Sequence, residues 1–304
     1  MGLDQRELKE LSSSATDMAW NAGKVLLKRF RGPLNVQDKS TSKRVDPVTE
    51  LDNEVEDLIV KTIKTKFPDH GVIGEEGTIV ESKNSDLVWI IDPLDGTLNY
   101  ANGIPIFASS IALCEKGIPV VGAIYVPWIN ELGRVFFAYK GGGAWVDETR
   151  LSVSSEKSLH KGRVSVLSGF ANSGFRIKPE FRGEIGEPRA IGSIAYEMGL
   201  TSEGIYQYVF FSSPKSWDVA AGIILVEEAG GTNIIWNKDK RMWESFISFT
   251  ISRDNDLFSL FRNWQLPLLS GSSMLVEEFM NVVYLPKKRF DFTSSIKNYF
   301  SLSK

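Results

Sequence analysis

One cysteine and two histidines in 304 residues exclude more chemistry than any other feature of this chain. Cys114 alone allows no intramolecular disulfide framework and no Cys-rich metal site, and it suits a reducing compartment. His70 and His160 are too few for a multi-histidine zinc or copper site and leave little for a Ser-His mechanism. No stretch approaches ~18 consecutive apolar residues, so no segment reads as bilayer-spanning. The opening MGLDQRELKELSSS has early acidic residues and no apolar run before a small-residue cleavage site, so it does not read as a secretory signal. A cytoplasmic, soluble protein with no membrane partner is the expectation. Excess positive charge is missing too: the net charge is −3 and the pI near 5.7. Nucleic-acid binding usually rests on neutralising phosphates, so no nucleic-acid partner is expected. The G-x-x-x-x-G-K-[ST] phosphate loop, the G-x-G-x-x-G dinucleotide fingerprint and G-x-S-x-G are absent as well.

The rest of the composition is that of a globular chain able to bury a sizeable core, as one large domain or two packed halves. Leu8, Leu11, Ala15, Met18, Ala22, Val25, Leu26 and Phe30 recur every three or four residues, which predicts an amphipathic helix ending before Gly32-Pro33. A polar loop follows, then a second helix bearing Val55, Leu58, Ile59, Ile63 and Phe67, with Thr49 and Asp52 at capping-box spacing. Residues 71–74 (GVIG) and 87–91 (LVWII) read as buried strands, each running into carboxylates. Residues 106–154 read as an antiparallel meander cut by turn signals. Beyond it, strands are expected at 163–168, 205–211, 233–236 and 246–251, and helices at 194–200, 217–229 and 272–281. The overall reading is α/β in two packed halves, 1–155 and 156–304.

The densest chemical signal is WIIDPLDGTLN, residues 89–99. A buried strand delivers Asp92 to its end, Pro93 holds Asp92 extended, and Asp95 follows after a tight turn. Two carboxylates held that close repel, and a cation between them resolves the repulsion. Carboxylate oxygens with a carbonyl such as that of Leu94 suit Mg²⁺. A helical turn starting at Gly96 and Thr97 would offer amide N–H groups to a phosphate. Read as turn chemistry alone, DPLDG is a surface turn. A second acidic strand end, Gly74-Glu75-Glu76-Gly77, moves the balance to function, because ligands collect at strand termini of open sheets. Asp218, in SWDVAAG, falls in the first turn of an apolar helix, where it either complements the helix dipole or joins the acids. Asp52 has a similar double reading. Gly141-Gly142-Gly143 reads as a hairpin turn.

Taken together, Asp46-Pro47-Val48-Thr49 with Asp52, Gly74-Glu75-Glu76, the run from Asp92 to Asn99, and Trp217-Asp218 closely resemble the inositol monophosphatase family, part of a wider group of lithium-sensitive sugar and nucleotide phosphatases. The match runs from about residue 10 to Gly231, more loosely to about Leu285. The resemblance implies a layered αβαβα sandwich with the active site between the halves. It implies two to three Mg²⁺ ions: one held by Glu75, Asp92 and the Leu94 carbonyl, one by Asp92, Asp95 and Asp218, and a weaker third by Glu75. Glu75 and Thr97 would activate the attacking water, with Asp52 bonded to Thr97. Gly96 and Thr97 amides would hold the phosphate, and Asp95, Asp218 and Gly192-Ser193-Ile194 would meet the substrate. The partner implied is a small phosphorylated metabolite, and the family forms homodimers.

Departures from the family pattern bear on the substrate. Inositol-specific members carry a glutamate a few residues before the Trp-Asp pair; here the nearest candidate is the neutral Gln207. An inositol-phosphate-like monoester is the first reading, with histidinol phosphate, fructose 1,6-bisphosphate or a nucleotide 3′-phosphate open. Lys215 and the basic loop 39–44 are candidate contacts for the substrate or solvated side chains, and the tail 286–304 lies outside the match. A catalytically inactive phosphate-ligand-binding protein is the non-enzymatic alternative, disfavoured because Glu75, Asp92, Asp95, Thr97 and Asp218 are all present. A metal-dependent nuclease is disfavoured by the charge balance.

Overall fold

The computed structural model describes residues 2–33, 36–38, 47–81, 86–129, 132–249 and 257–286. Asp46, the loop 39–44 and the tail beyond 286 therefore lie outside the described residues.

Helix α1 (Gln5–Arg29) begins at a capping box in which Asp4 accepts from the Arg6 and Glu7 amides and Glu7 answers the Asp4 N–H. A short pair, β1 (Val36–Asp38) and β2 (Pro47–Thr49), leads into α2 (Glu50–Lys66), whose Thr49–Asp52 capping box forms as its spacing predicts. Eight strands then make one sheet: β3 (Gly71–Gly74), β4 (Ile79–Val80), β5 (Leu87–Asp95), β6 (Ala108–Glu115), β7 (Ile118–Val126), β8 (Arg134–Tyr139), β9 (Gly143–Val146) and β10 (Thr149–Arg150). Their order is β10-β9-β8-β7-β6-β5-β3-β4, antiparallel except where β3 and β5 run parallel, with the short α3 (Thr97–Ala101) after β5. The expected meander is this run from β6 to β10.

The second sheet has the order β13-β11-β14-β17-β15-β16, from β11 (Val164–Ser168), β13 (Glu187–Arg189), β14 (Tyr208–Phe211), β15 (Thr232–Asn237), β16 (Met242–Ser245) and β17 (Leu268–Gly271). β12 (Arg176–Ile177) pairs with β18 (Val283–Tyr284) beside it. Helices α4 (Ile194–Ser202) and α5 (Ser216–Glu228) lie between the two sheets, and α7 (Ser273–Val282) covers the outer face of the second; α6 (Leu257–Asn263) is short. With α1 and α2 on the far face of the first sheet, the layers are α-β-α-β-α. The first sheet ends at Arg150 and the second begins at Val164, but α5 packs on both, so one core joins them.

α5 is apolar all round, as a helix buried between two sheets must be, with Val219 to Val226 all buried. It presses on β7 closely enough that a Cβ at Gly122 would stand 2.7 Å from the Ala221 carbonyl oxygen. That tight contact fixes the position of the helix that starts near Asp218. Two sequence expectations fail. Residues 205–207 turn before β14 starts at Tyr208: the Gln207 N–H still reaches the Val164 carbonyl of β11 at 3.0 Å, but its side chain is spent on the loop at His160. Of the strand expected at 246–251, residues 250–251 lie outside the described residues. The strand lies earlier, as β16, where Trp243 and Glu244 pair with β15, and pairing ends after the Phe246 N–H reaches the Asn233 carbonyl, with Phe246 and Phe249 packed on Trp264. β17 and α6 were not anticipated. Among the described residues no helix is long and apolar enough to cross a membrane.

Candidate active site

β5 does not stop at Ile91. It continues to Asp95 through an irregularity in its pairing with β6 between Asp92 and Asp95. That break turns both carboxylates toward the cleft instead of alternating them across the sheet. Asp92 is 1 % exposed, and its Oδ1 accepts from the Leu94 N–H at 3.1 Å. Beside it on the parallel strand, β3 ends in the turn carrying Glu75, whose amide donates to the Ile91 carbonyl at 3.1 Å. Asp92 and Glu75 are hydrogen bonded through their side chains. Ser110 stands opposite Asp92 in register on β6, and its Oγ donates to the Trp217 carbonyl at 3.3 Å. The first turn of α5 is thereby tied to the strand next to Asp92, which brings Asp218 to the same place.

Burial, then the charges of Glu75, Asp95 and Asp218, push the Asp92 carboxyl well above the usual carboxylate range. Asp95 is pushed up to about 6 by burial, against the opposing hydrogen bonds of the Ala195 N–H, the Ser193 hydroxyl and the Ile194 amide. Both described bonds fall on Oδ2: Ser193 Oγ donates at 2.8 Å and Ala195 N at 2.6 Å, so Asp95 caps α4 from the other half of the molecule. Asp218 accepts the Lys215 N–H at 2.8 Å, completing the helix-cap geometry its position suggests while also bearing on Asp92.

Thr97 Oγ1 lies 3.1 Å from Asp52 Oδ1 and 2.9 Å from the Leu94 carbonyl oxygen. Asp52 is 1 % exposed and spends its other oxygen on Thr49. Gly96 has φ +94°, open to glycine at little cost, and packs so near Gly192 and Ser193 that an added Cβ would meet the Gly192 carbonyl oxygen at 3.2 Å. The structure thus brings Asp52, Glu75, Asp92, Leu94, Asp95, Gly96, Thr97, Gly192, Ser193, Ile194 and Asp218 to one cleft.

Gln207 is elsewhere. Fully buried, it accepts from the His160 N–H and donates to the His160 carbonyl and Ser165 Oγ, so it holds a loop and is no candidate for substrate. Lys215 lies on the turn before α5, its Nζ 3.5 Å from Gln265 Oε1.

Two residues of the site escaped the sequence reading, and a third, Asn99, stood in the motif without a role. Glu56, buried on α2, accepts from the Glu76 and Thr78 amides at 2.9 and 3.1 Å and so shapes the turn carrying Glu75; an acid on the apolar stripe of α2 was the available signal. Asn99 donates from Nδ2 to the Ile106 and Ile191 carbonyls. Glu197, buried on α4, accepts the Ile191 N–H at 2.7 Å.

Among the described residues no three His, Cys, Asp or Glu side chains form a ready metal cage. The electrostatics of Asp92 are the better guide to what the cleft accepts. A buried carboxyl crowded by three other acids is costly unless it is protonated or a cation joins it. Oxygen donors without histidine or cysteine suit a hard divalent ion.

A profile of the inositol monophosphatase family matches residues 7–257. The chain is 37% identical over 222 residues to a protein named Nus factor SuhB from Pasteurella multocida, covering 70% of this chain and 80% of that one. It is 36% identical over 232 residues to a fructose-1,6-bisphosphatase/inositol-1-monophosphatase from Aquifex aeolicus, covering 74% and 85%. Among solved structures, the extragenic suppressor protein suhB of Bartonella henselae superposes with a TM-score of 0.72 at 26% identity over 92% of this chain and all of that one. The IMPase of Thermotoga maritima does so with 0.69 at 28% identity, over 90% and 96%. Fold, motif order and sequence likeness agree: this chain belongs to the inositol monophosphatase family of phosphoric monoester hydrolases.

Proposed function

We propose that this protein hydrolyses a small, soluble phosphate monoester with the help of two to three Mg²⁺ ions, an inositol-phosphate-like monoester being the first candidate. The observation that carries this reading is Asp92, 1 % exposed and surrounded by the charges of Glu75, Asp95 and Asp218. Glu75, Asp92 and the Leu94 carbonyl would hold one ion, Asp92, Asp95 and Asp218 a second, and Glu75 a third. Bound there, the ions neutralise phosphate charge, acidify water and stabilise the leaving alkoxide.

The chain's own groups supply the rest. Asp52 accepts the Thr97 hydroxyl proton, which leaves the Thr97 oxygen lone pairs facing the cleft to receive a proton from water, with Glu75 as the second acceptor. The Gly96 and Thr97 amides hold the phosphate. Gly192, Ser193 and Ile194 line the alcohol side, and Asp95, already anchored by Ser193, sets the distance between the two walls. Gln207 is withdrawn into the core and does not meet the alcohol, which keeps histidinol phosphate, fructose 1,6-bisphosphate and nucleotide 3′-phosphates in play.

Phosphate release from those four substrate types, with Mg²⁺ and with EDTA, tests the reading. Mg²⁺-dependent release from one of them, inhibited by Li⁺, is expected; no release from any would leave the phosphate-binding alternative. A second reading follows from the name Nus factor carried by the Pasteurella relative: that this chain also acts as such a factor. Its net charge of −3 opposes RNA binding through phosphates, and salt-dependent retention of RNA in a filter assay would favour it.

A further inference from the structure

Position 197 is an odd place for an acid. α4 packs in the central layer with Tyr196, Met198, Gly199 and Leu200 all buried, and Glu197 itself is 1 % exposed. A buried carboxyl costs more than an apolar side chain of similar size unless it is well bonded. Among the described residues the Glu197 carboxyl takes one hydrogen bond, from the Ile191 N–H to Oε1 at 2.7 Å. The Ile191 carbonyl is held too: Asn99 Nδ2 donates to it at 2.7 Å and to the Ile106 carbonyl at 2.8 Å. Both backbone groups of one residue are thus gripped by side chains from the two sides of the cleft, Asn99 from α3 and Glu197 from α4.

The gripped residue leads directly into the site. Gly192 follows with φ +86°, exposed, its α-carbon so close to Asn99 that a Cβ would stand 3.0 Å from Nδ2. Ser193 comes next, donating to Asp95 Oδ2, and the Ala195 N–H donates to the same oxygen. An exposed glycine between a clamp and a ligand-bearing turn is the joint at which that turn would otherwise loosen.

We propose that Glu197 and Asn99 are positioning residues: by holding the N–H and the carbonyl of Ile191 they fix the Gly192–Ser193 turn, and through Ser193 and Ala195 they fix the Asp95 carboxylate. The role rests on the reading of Asp95 as a metal and substrate ligand, but the clamp itself does not. Glu197 acts as an acceptor, not as a charge, so glutamine serves in its place and leucine does not. Partners one bond removed from a ligand set its orientation, and losing them typically costs about 10–100-fold in metal affinity or activity.

The experiment compares the full-length wild type with Glu197→Gln, Glu197→Leu and Asn99→Ala. Hydrogen exchange of the amides from Ile191 to Ala195 is read first, then Mg²⁺ affinity by calorimetry, then kcat and KM on the substrate found above. Expected are amide exchange faster by about tenfold or more and Mg²⁺ affinity weaker by about 10–100-fold in Glu197→Leu and Asn99→Ala, with Glu197→Gln within about threefold of wild type in both. The fall in activity should lie in kcat at saturating Mg²⁺ less than at limiting Mg²⁺. Unchanged exchange at Ile191–Ala195 in both disrupting variants overturns the proposal, as does a Glu197→Gln variant as damaged as Glu197→Leu. Should Glu197→Leu fail to fold, Asn99→Ala, on a half-buried side chain, decides alone. A wild type without phosphatase activity would defeat the function proposed above and leave the exchange result standing.

Discussion

The wall of the cleft bearing Glu75 and Asp92 and the wall bearing Ser193 and Asp218 are made of different material. The first consists of adjacent parallel strand ends in one sheet, with Asp52 and Asp92 each 1 % exposed and Glu56 pinning the Glu75 turn from beneath. The second consists of two helix starts and the loops that precede them, with Gly192 and Ser213 exposed. Strand ends in a sheet hold side chains more rigidly than loops do, and precise chemistry favours rigid elements. Loops accept substitution more readily. Under the function proposed above, the comparison separates a wall for the reaction from a wall for the alcohol.

The largest effect that would break this division is on the first wall. Asp95→Asn keeps the shape and the two helix-cap bonds but removes a charge; turnover should drop by about 10³-fold or more, the scale of a lost metal contribution. Circular dichroism should show the fold intact. Appreciable retained turnover would count against the acidic cluster as the reaction centre. Next in size is Thr97→Val, which removes the hydroxyl bonded to Asp52 without changing volume greatly. A fall in kcat of about 10²-fold is expected, with KM little moved, the signature of a group acting in proton transfer. A change confined to KM would shift Thr97 to the phosphate-binding role alone.

On the second wall effects should be small and selective. Lys215→Ala ought to leave the monophosphate reaction alone and raise KM for fructose 1,6-bisphosphate by about three- to fivefold, the reach of a partly solvated ion pair. Equal loss on both substrates would place the Lys215 ammonium in the reaction wall after all.

The two walls also differed in how far the sequence disclosed them. Apolar runs ending in acids are a local pattern, so β3, β5 and the carboxylates at their ends could be read directly, as could the Thr49–Asp52 box that proved to share Asp52 with Thr97. The irregularity that carries β5 on to Asp95 has no local mark beyond Pro93. Gln207 could not be placed, because its partners His160 and Ser165 are distant in the chain and its burial depends on the second sheet. Glu56 and Glu197 were hidden for a related reason: an acid on a helix looks solvated until the opposite layer is known. β16 was misplaced because Phe246 and Phe249 are as strand-like as Trp243, and only the register against β15 decides between them.

The smallest effect is thermodynamic and sets the walls against each other without any substrate. Three carboxyls at the site have folded pKa values above the ordinary range of about 4: Asp92 well above, Asp95 at about 6, Glu197 at about 8, in each case through burial first. An acid whose pKa is raised by folding contributes most to stability below its unfolded value, and that contribution is lost as pH climbs through the folded value. In EDTA the melting temperature should therefore decline from about pH 4 to about pH 8. Asp95→Asn should flatten the lower part of that decline, on the shared edge of the two walls, and Glu197→Gln the upper part, behind the loop wall. Mg²⁺ binds ionised carboxylates, so adding it should raise the melting temperature more at pH 8 than at pH 5. A melting temperature that rises through this range in EDTA would mean the acids are already neutralised by partners within the protein, and the need for a cation at Asp92 would disappear with the decline.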